Sequence, residues 1–138
     1  MNRVFIGIGS NIDPYRHIER ALHCLAREHR LVQSSSLTVT APVGFAAQPD
    51  FVNGAALVET ELDFDAFTRY CKALEQRLGR VKTVNKFGPR TIDLDIVIWN
   101  DTVVDDDYHT RDFLRNAIEE LRGRFASAPP HLPEISAD

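Results

Sequence analysis

The first apolar run in the chain, Val4 to Ile8, is unbroken and predicts a buried strand that ends at Gly9-Ser10-Asn11. Asp13-Pro14 then reads as a helix cap followed by proline at the first helical position. Ile18, Ala21, Leu22 and Leu25 repeat with helical spacing, so the first helix is expected to run to about Arg27. Residues 30–40 (RLVQSSSLTVT) read as a strand with one polar face, and residues 41–50, with two prolines and a glycine, as a loop. Residues 51–60 (FVNGAALVET) predict another strand, with Gly54 as a candidate bulge. Asp63 caps a second helix whose apolar stripe is Phe64, Phe67, Cys71, Leu74 and Leu78, and Gly79 stands where a helix C-cap glycine belongs. A loop follows over residues 80–91, then a strand from Ile92 to Trp99. Residues 101–107 are acidic and irregular, and residues 113–124 suggest a short helix.

The order β-α-β-β-α-β is that of an α+β, ferredoxin-like sandwich: a mostly antiparallel sheet with two helices on one face. On that plan the helices cover one side, leaving the other side or the strand ends to host a site. With 138 residues, one domain is expected over residues 1–125, followed by a tail, 126–138, holding Pro129, Pro130 and Pro133.

The last strand raises a chemical question. Ile92, Leu94, Ile96 and Ile98 form one row, and Asp93, Asp95, Val97 and Trp99 the other. Two side chains at this spacing on one strand face stand about 7 Å apart. Burying an unpaired carboxylate pair is costly, so cations must accompany it or the strand end must be wet. Between Gln76 and Ile92 the chain carries Arg77, Arg80, Lys82, Lys86 and Arg90 and no acid. Mg²⁺ suits such a place, because it takes one or two carboxylates and completes its octahedron with water and phosphate oxygens. The neighbouring cations can clamp phosphate oxygens. The plainer alternative is an edge strand with a solvated, salt-bridged aspartate pair.

Composition narrows the partners. Hydrophobic residues make up 43% and charged residues 26%, as in ordinary globular domains, and no apolar run approaches the roughly 20 residues of a membrane helix. The opening MNRVFIGIGSN has no cleavage-site pattern. A net charge of −4 gives no overall attraction for nucleic acid, so the local cations point to a small anion. Cys24 and Cys71 read as apolar packing residues, as expected of a cytoplasmic protein. Gly7-Ile8-Gly9 lacks the third glycine of a dinucleotide fingerprint, no phosphate-loop pattern is present, and His17, His23 and His29 read as surface residues. In Gln48-Pro49-Asp50-Phe51-Val52-Asn53, an aromatic and an amide two residues on can stack on and hydrogen-bond a flat heterocycle. The competing reading makes Phe51 core and Asn53 a turn residue.

Together these segments resemble the 6-hydroxymethyl-7,8-dihydropterin pyrophosphokinase family over roughly residues 3–104. The most specific part is the run Lys86-Phe87-Gly88-Pro89-Arg90-Thr91-Ile92-Asp93-Leu94-Asp95-Ile96-Val97, supported by Gly9-Ser10-Asn11, by residues 40–53 and by Gly79-Arg80-Val81. The resemblance implies a ferredoxin-like fold and transfer of pyrophosphate from ATP to a pterin hydroxymethyl group. It implies that Asp93 and Asp95 hold two Mg²⁺ ions and that Arg80 and Arg90 stabilise the transferring group. Because the sequence offers no obvious strong base, a metal-bound Asp95 is the candidate acceptor of the alcohol proton. Thr40, Val43, Gly44, Phe51, Asn53 and Phe113 would then hold the pterin. Lys72, Glu75, Lys82, Lys86, Arg90, Ile96 and Arg111 would hold ATP. The partners so implied are these two small molecules, with neither nucleic acid nor membrane, and no protein partner is named.

The chain departs from the family pattern at Phe87, usually Trp, at Lys72, often Gln, and in the segment 105–113. That segment (DDDYHTRDF) is short and acidic, although Arg111 and Phe113 match an Arg-x-Phe element of the family. Aspartates beside a triphosphate weaken its binding unless they face solvent. Two rival expectations therefore stand: a catalytically weakened paralogue that binds pterin or nucleotide as a regulatory or partner module, and a plain ferredoxin-like interaction domain.

Overall fold

A computed structural model describes residues 1–42, 44, 47–79 and 90–127, without the side chains of residues 124–127. Most of the basic loop expected at residues 80–91, and the tail from residue 128 onward, lie outside the described residues. The chain runs through β1 (Asn2–Ser10), α1 (Pro14–Glu28), β2 (Arg30–Ser34), β3 (Thr38–Thr40), β4 (Phe51–Thr60) and α2 (Phe64–Arg77). It continues through β5 (Asp93–Trp99), β6 (Thr102–Val103), α3 (Asp107–Thr110) and α4 (Asp112–Ser127). The strands form one antiparallel sheet in the order β2-β4-β1-β5-β6, with β3 also on β4. The α+β sheet-and-helix arrangement expected from the sequence is therefore present. The single strand expected over residues 30–40 is divided into β2 and β3 by the irregular residues 35–37.

The unbroken hydrophobicity of β1 follows from its central place, since both faces are covered. Val4, Ile6 and Ile8 pack with Ile18, Ala21 and Leu25 of α1 and Phe67, Cys71 and Leu74 of α2. Phe5 belongs to a second core with Ala55, Leu57 and Val97 of the sheet and Leu114, Ala117, Ile118 and Leu121 of α4. The two early helices do share one face, but the other face is not left open: α4 roofs much of it. The short polar-looking segment at residues 113–124 is thus a full structural layer.

Local signals behave unevenly. Asp63 caps α2 as expected, its carboxylate accepting from Ala66 N–H at 2.8 Å, and Gly79 takes φ 101° just past the helix end. Asp13 precedes Pro14 but makes no side-chain cap. It holds a left-handed φ of 44°, and its carboxylate lies 3.4 Å from Arg16. Gly54 stays in regular register opposite Ile8, so it is no bulge. A Cβ there would come within 2.7 Å of Leu37 Cδ2, which makes it a close-approach glycine. His29 is half-buried, edge-on to the rings of Tyr70 at 4.3 Å and Phe67 at 5.3 Å, and is not the surface residue its spacing suggested.

The alternation along β5 breaks where β1 pairs Phe5 with Ile98 but Ile6 with Ile96, leaving Val97 as an extra residue. Such a bulge reverses the faces beyond it. Ile98 therefore joins the α4-side core, and Trp99 turns to the α2 side, 5.4 Å from the Phe64 ring. The two rows read from strict alternation hold for residues 92–97 only. Asp93 and Asp95, lying before the bulge, stay on one face. Among the described residues, no helix is long and apolar enough to cross a membrane.

If α4 is a true layer, Ile118→Ala, which empties a fully buried position, should cost about 2–5 kcal/mol in urea denaturation. Val104→Ala, at a side chain 43% exposed, should cost less than about 0.5 kcal/mol.

Candidate active site

Where the α4 roof stops, the sheet face opens into a cavity of about 310 Å³. Its floor is made by what β1 lacks. Gly7 and Gly9 follow Phe5 on this face, and a Cβ at Gly9 would lie 2.7 Å from Asn53 Oδ1, one at Gly7 3.0 Å from Leu114 Cδ1. The glycine pair that half-resembles a dinucleotide fingerprint thus lines the cavity and makes room for the Asn53 and Leu114 side chains beside it. Register places Asp95 opposite Gly7, and both Asp93 and Asn53 opposite Gly9, so the carboxylates and the amide flank the same bare strand. Thr40, Ala41 and Phe51 close one side, Arg111 comes from the junction of α3 and α4, and Phe113 from the first turn of α4. Asn53 Nδ2 donates to Thr40 Oγ1 at 2.6 Å, which orients the amide.

The electrostatics centre on the aspartates. Arg90 lies 3.4 Å from Asp93, both side chains being about a quarter exposed. Burial pushes the Asp95 carboxyl up to about 8, helped by the charge of Asp93 and by a hydrogen bond to it. Lys72 opposes that rise and Glu75 adds to it. At neutral pH the bare pair therefore retains a proton, in the manner of two acids sharing one site. Two hard carboxylates beside open space form a donor set that fits Mg²⁺, which needs little more from protein. Among the described residues no cluster of three or more His, Cys, Asp or Glu could hold an ion, so water and ligand oxygens would complete its shell.

The remaining expected residues divide by location. Glu75, 3% exposed on α2, accepts the Leu94 N–H at 2.7 Å, and Lys72 lies 3.8 Å from it. Both lie outside the cavity lining yet within electrostatic reach of Asp95. Ile96 packs against the α1–α2 core and also lies off the lining. Gly44 is exposed with φ 87° and does not line the cavity. Val43, Arg80, Lys82, Lys86 and Phe87 lie outside the described residues.

The acidic segment does face the site. Asp105 and Asp107 line the cavity, and Asp107 pairs with Arg111 at 3.3 Å, so the cation expected at the triphosphate already has a carboxylate beside it. Sequence reasoning names Asn11 only within the Gly9-Ser10-Asn11 motif and gives it no role, yet it is buried against Arg90 and the loop before β4. Its only local signal is an amide closing a buried strand. The partners it binds are 37 and 79 residues away along the chain.

Comparison with known proteins adds the family. The profile described as 7,8-dihydro-6-hydroxymethylpterin-pyrophosphokinase (HPPK) matches residues 5–123. The chain is 38% identical over 109 residues to the folic acid synthesis protein fol1 of Schizosaccharomyces pombe, covering 77% of this chain and 15% of that one. Against the 2-amino-4-hydroxy-6-hydroxymethyldihydropteridine pyrophosphokinase of Pseudomonas aeruginosa it is 39% identical, over 76% of this chain and 66% of the relative. The Haemophilus influenzae protein of the same name is 31% identical over 83% and 78% of the two chains. The chain therefore spans less than two thirds of the first two of these relatives. None of the three favours the binding-only alternative.

The Asp95 carboxyl makes stability depend on pH. Its proton affinity is higher folded than unfolded, so between about 4 and 8 the native state binds more protons, and stability falls as pH rises. In metal-free protein the unfolding free energy should drop between pH 6 and pH 8, by at most about 1.4 kcal/mol per pH unit. Asp95→Asn should flatten that slope in denaturant titrations at each pH, and an unchanged slope would show that Asp95 ionises without penalty.

Proposed function

The chain belongs to the 7,8-dihydro-6-hydroxymethylpterin-pyrophosphokinase family, and on that premise we propose that it transfers pyrophosphate from ATP to the hydroxymethyl group of 6-hydroxymethyl-7,8-dihydropterin, yielding AMP. The observation that carries this reading is one cavity holding two kinds of wall: an aromatic and amide side at Phe51, Asn53 and Phe113, and a charged side at Arg90, Asp93 and Asp95. A flat heterocycle suits the first and a polyphosphate with its cation the second.

Each residue then has a physical task. Asn53, held by Thr40, offers its amide to the ring edge, while Phe51 and Phe113 supply apolar surface for the ring faces. Asp93 and Asp95 are the residues that would hold Mg²⁺, two ions in our reading, and the metal when bound neutralises triphosphate charge as a Lewis acid. Arg90, already aimed at Asp93, lies beside the transferring group and stabilises charge spread over its oxygens. Arg80, Lys82 and Lys86 are assigned to the same phosphates, and Lys72, Glu75 and Ile96 to the nucleotide side. Such a reaction asks for positioning and charge stabilisation instead of a covalent nucleophile. The domain proper is assigned to residues 1–125.

The test is AMP formation from ATP and Mg²⁺ with and without the pterin. AMP should appear only with pterin, stop on chelation and resume when Mg²⁺ is restored. Asp95→Ala should lose at least about 100-fold in turnover while keeping its circular dichroism spectrum. Full activity in that variant would remove the metal assignment. Because Asp107 competes for Arg111, Asp107→Asn should tighten binding of a non-hydrolysable ATP analogue severalfold in calorimetry, by roughly 1 kcal/mol.

A further inference from the structure

We propose that Asn11 is a positioning residue that ties the loop before β4 to Arg90, so that one buried amide sets both walls of the cavity. The inference rests on the reaction assigned above and concerns a residue with no direct place on the cavity lining.

Asn11 is 3% exposed, and its side-chain amide and its backbone N–H all bond to residues distant along the chain. Its Nδ2 donates to Gln48 Oε1 at 2.7 Å and to the Pro49 carbonyl at 3.1 Å. Its Oδ1 accepts the Arg90 N–H at 2.8 Å, and its own N–H donates to the Arg90 carbonyl at 3.1 Å. The backbone of Arg90 is therefore gripped at both ends by one residue. Ser10 Oγ adds a donor 3.5 Å from the same Arg90 carbonyl. Only one amide orientation satisfies this set, because the Pro49 carbonyl requires a donor and the Arg90 N–H an acceptor. A carboxylate, a hydroxyl or a methyl group at this place would each leave a buried partner unmade.

The two tethered segments are the two sides of the site. Pro49 is two residues before Phe51, which lines the aromatic wall, while Arg90 stands 3.4 Å from Asp93 on the charged wall. β1 supplies the rigid anchor, since Ser10 is fully buried and paired with Val52 of β4. A residue joined to all three segments fixes the distance between where the heterocycle lies and where the phosphates are stabilised. Displacement of about 1 Å at a reacting centre costs on the order of 100-fold in rate.

Steady-state AMP formation, with each substrate varied, tests the proposal in wild type, Asn11→Ala and Gln48→Leu, normalised to folded protein by near-ultraviolet circular dichroism. Asn11→Ala should lower kcat by about 10–100-fold and raise KM for the pterin severalfold. Gln48→Leu cuts only the loop leg, so it should raise the pterin KM severalfold with a smaller fall in kcat. A merely structural amide would reduce the folded fraction and leave both constants of the folded molecules at wild-type values, and that result overturns the proposal. Should Asn11→Ala not fold, Gln48→Leu decides: a raised pterin KM supports the tether and an unchanged one overturns it. Wild-type protein that forms no pterin-dependent AMP overturns the reaction assignment itself, and the tether with it, whereas an active wild type with an indifferent Asn11→Ala sinks the tether alone.

Discussion

Two carboxylates on one face of a half-buried strand repel each other and resist leaving water, and the surrounding structure can be understood as an answer to that cost. The answer comes from several directions. Arg90 approaches Asp93 from the end of the strand, the Lys72 ammonium on α2 favours the ionised form of Asp95, and the Asp95 carboxyl itself keeps a proton well above the ordinary carboxylate range. The glycines of β1 line the same cavity as the pair and let the Asn53 and Leu114 side chains approach the strand closely. A structure that tolerates such a pair only with cations or protons nearby is one that a divalent ion and a polyphosphate would relieve. The electrostatic strain of the bare protein and the ligand chemistry of the proposed reaction are two statements of one charge distribution.

The second feature is how few residues connect the site. The cavity takes walls from β1, β3, β4, β5 and the start of α4, elements whose order along the chain gives no hint of their meeting. Buried polar groups do the joining. Glu75 accepts from the backbone of β5, and Asn11 joins three segments at once. In a protein interior a polar group left without a partner costs more than the bond itself returns, so each of these contacts fixes its segments firmly. Transfer between two bound substrates depends on such fixing, because most of the rate must come from orientation.

The acidic stretch before α4 gives the site its own character. Asp105 and Asp107 face the cavity, and Asp107 accompanies Arg111. Carboxylates in this place oppose a triphosphate and favour cations, so under the proposed reaction the balance between Arg111 and Asp107 would set how strongly the nucleotide end is held.

Much of this was legible from residue order. Apolar periodicity marked α1, α2 and the strands β1, β4 and β5, and the Asp63 and Gly79 signals marked both ends of α2, because those signals depend on residues a few positions apart. The aspartate pair, Arg90 and the Phe51–Asn53 pair could be picked out for the same reason: their chemistry lies in short, contiguous patterns. What the linear order did not reveal was anything decided by contact at long range. The bulge at Val97 that sends Ile98 and Trp99 to opposite faces, the roofing of the second face by α4, the half-burial of His29 and the grip of Asn11 on Arg90 each need a partner tens of residues away. Local propensity and alternation are written in the chain, whereas the pairing of a buried amide or the slip of one strand residue is chosen only when distant segments compete for the same donors and the same space.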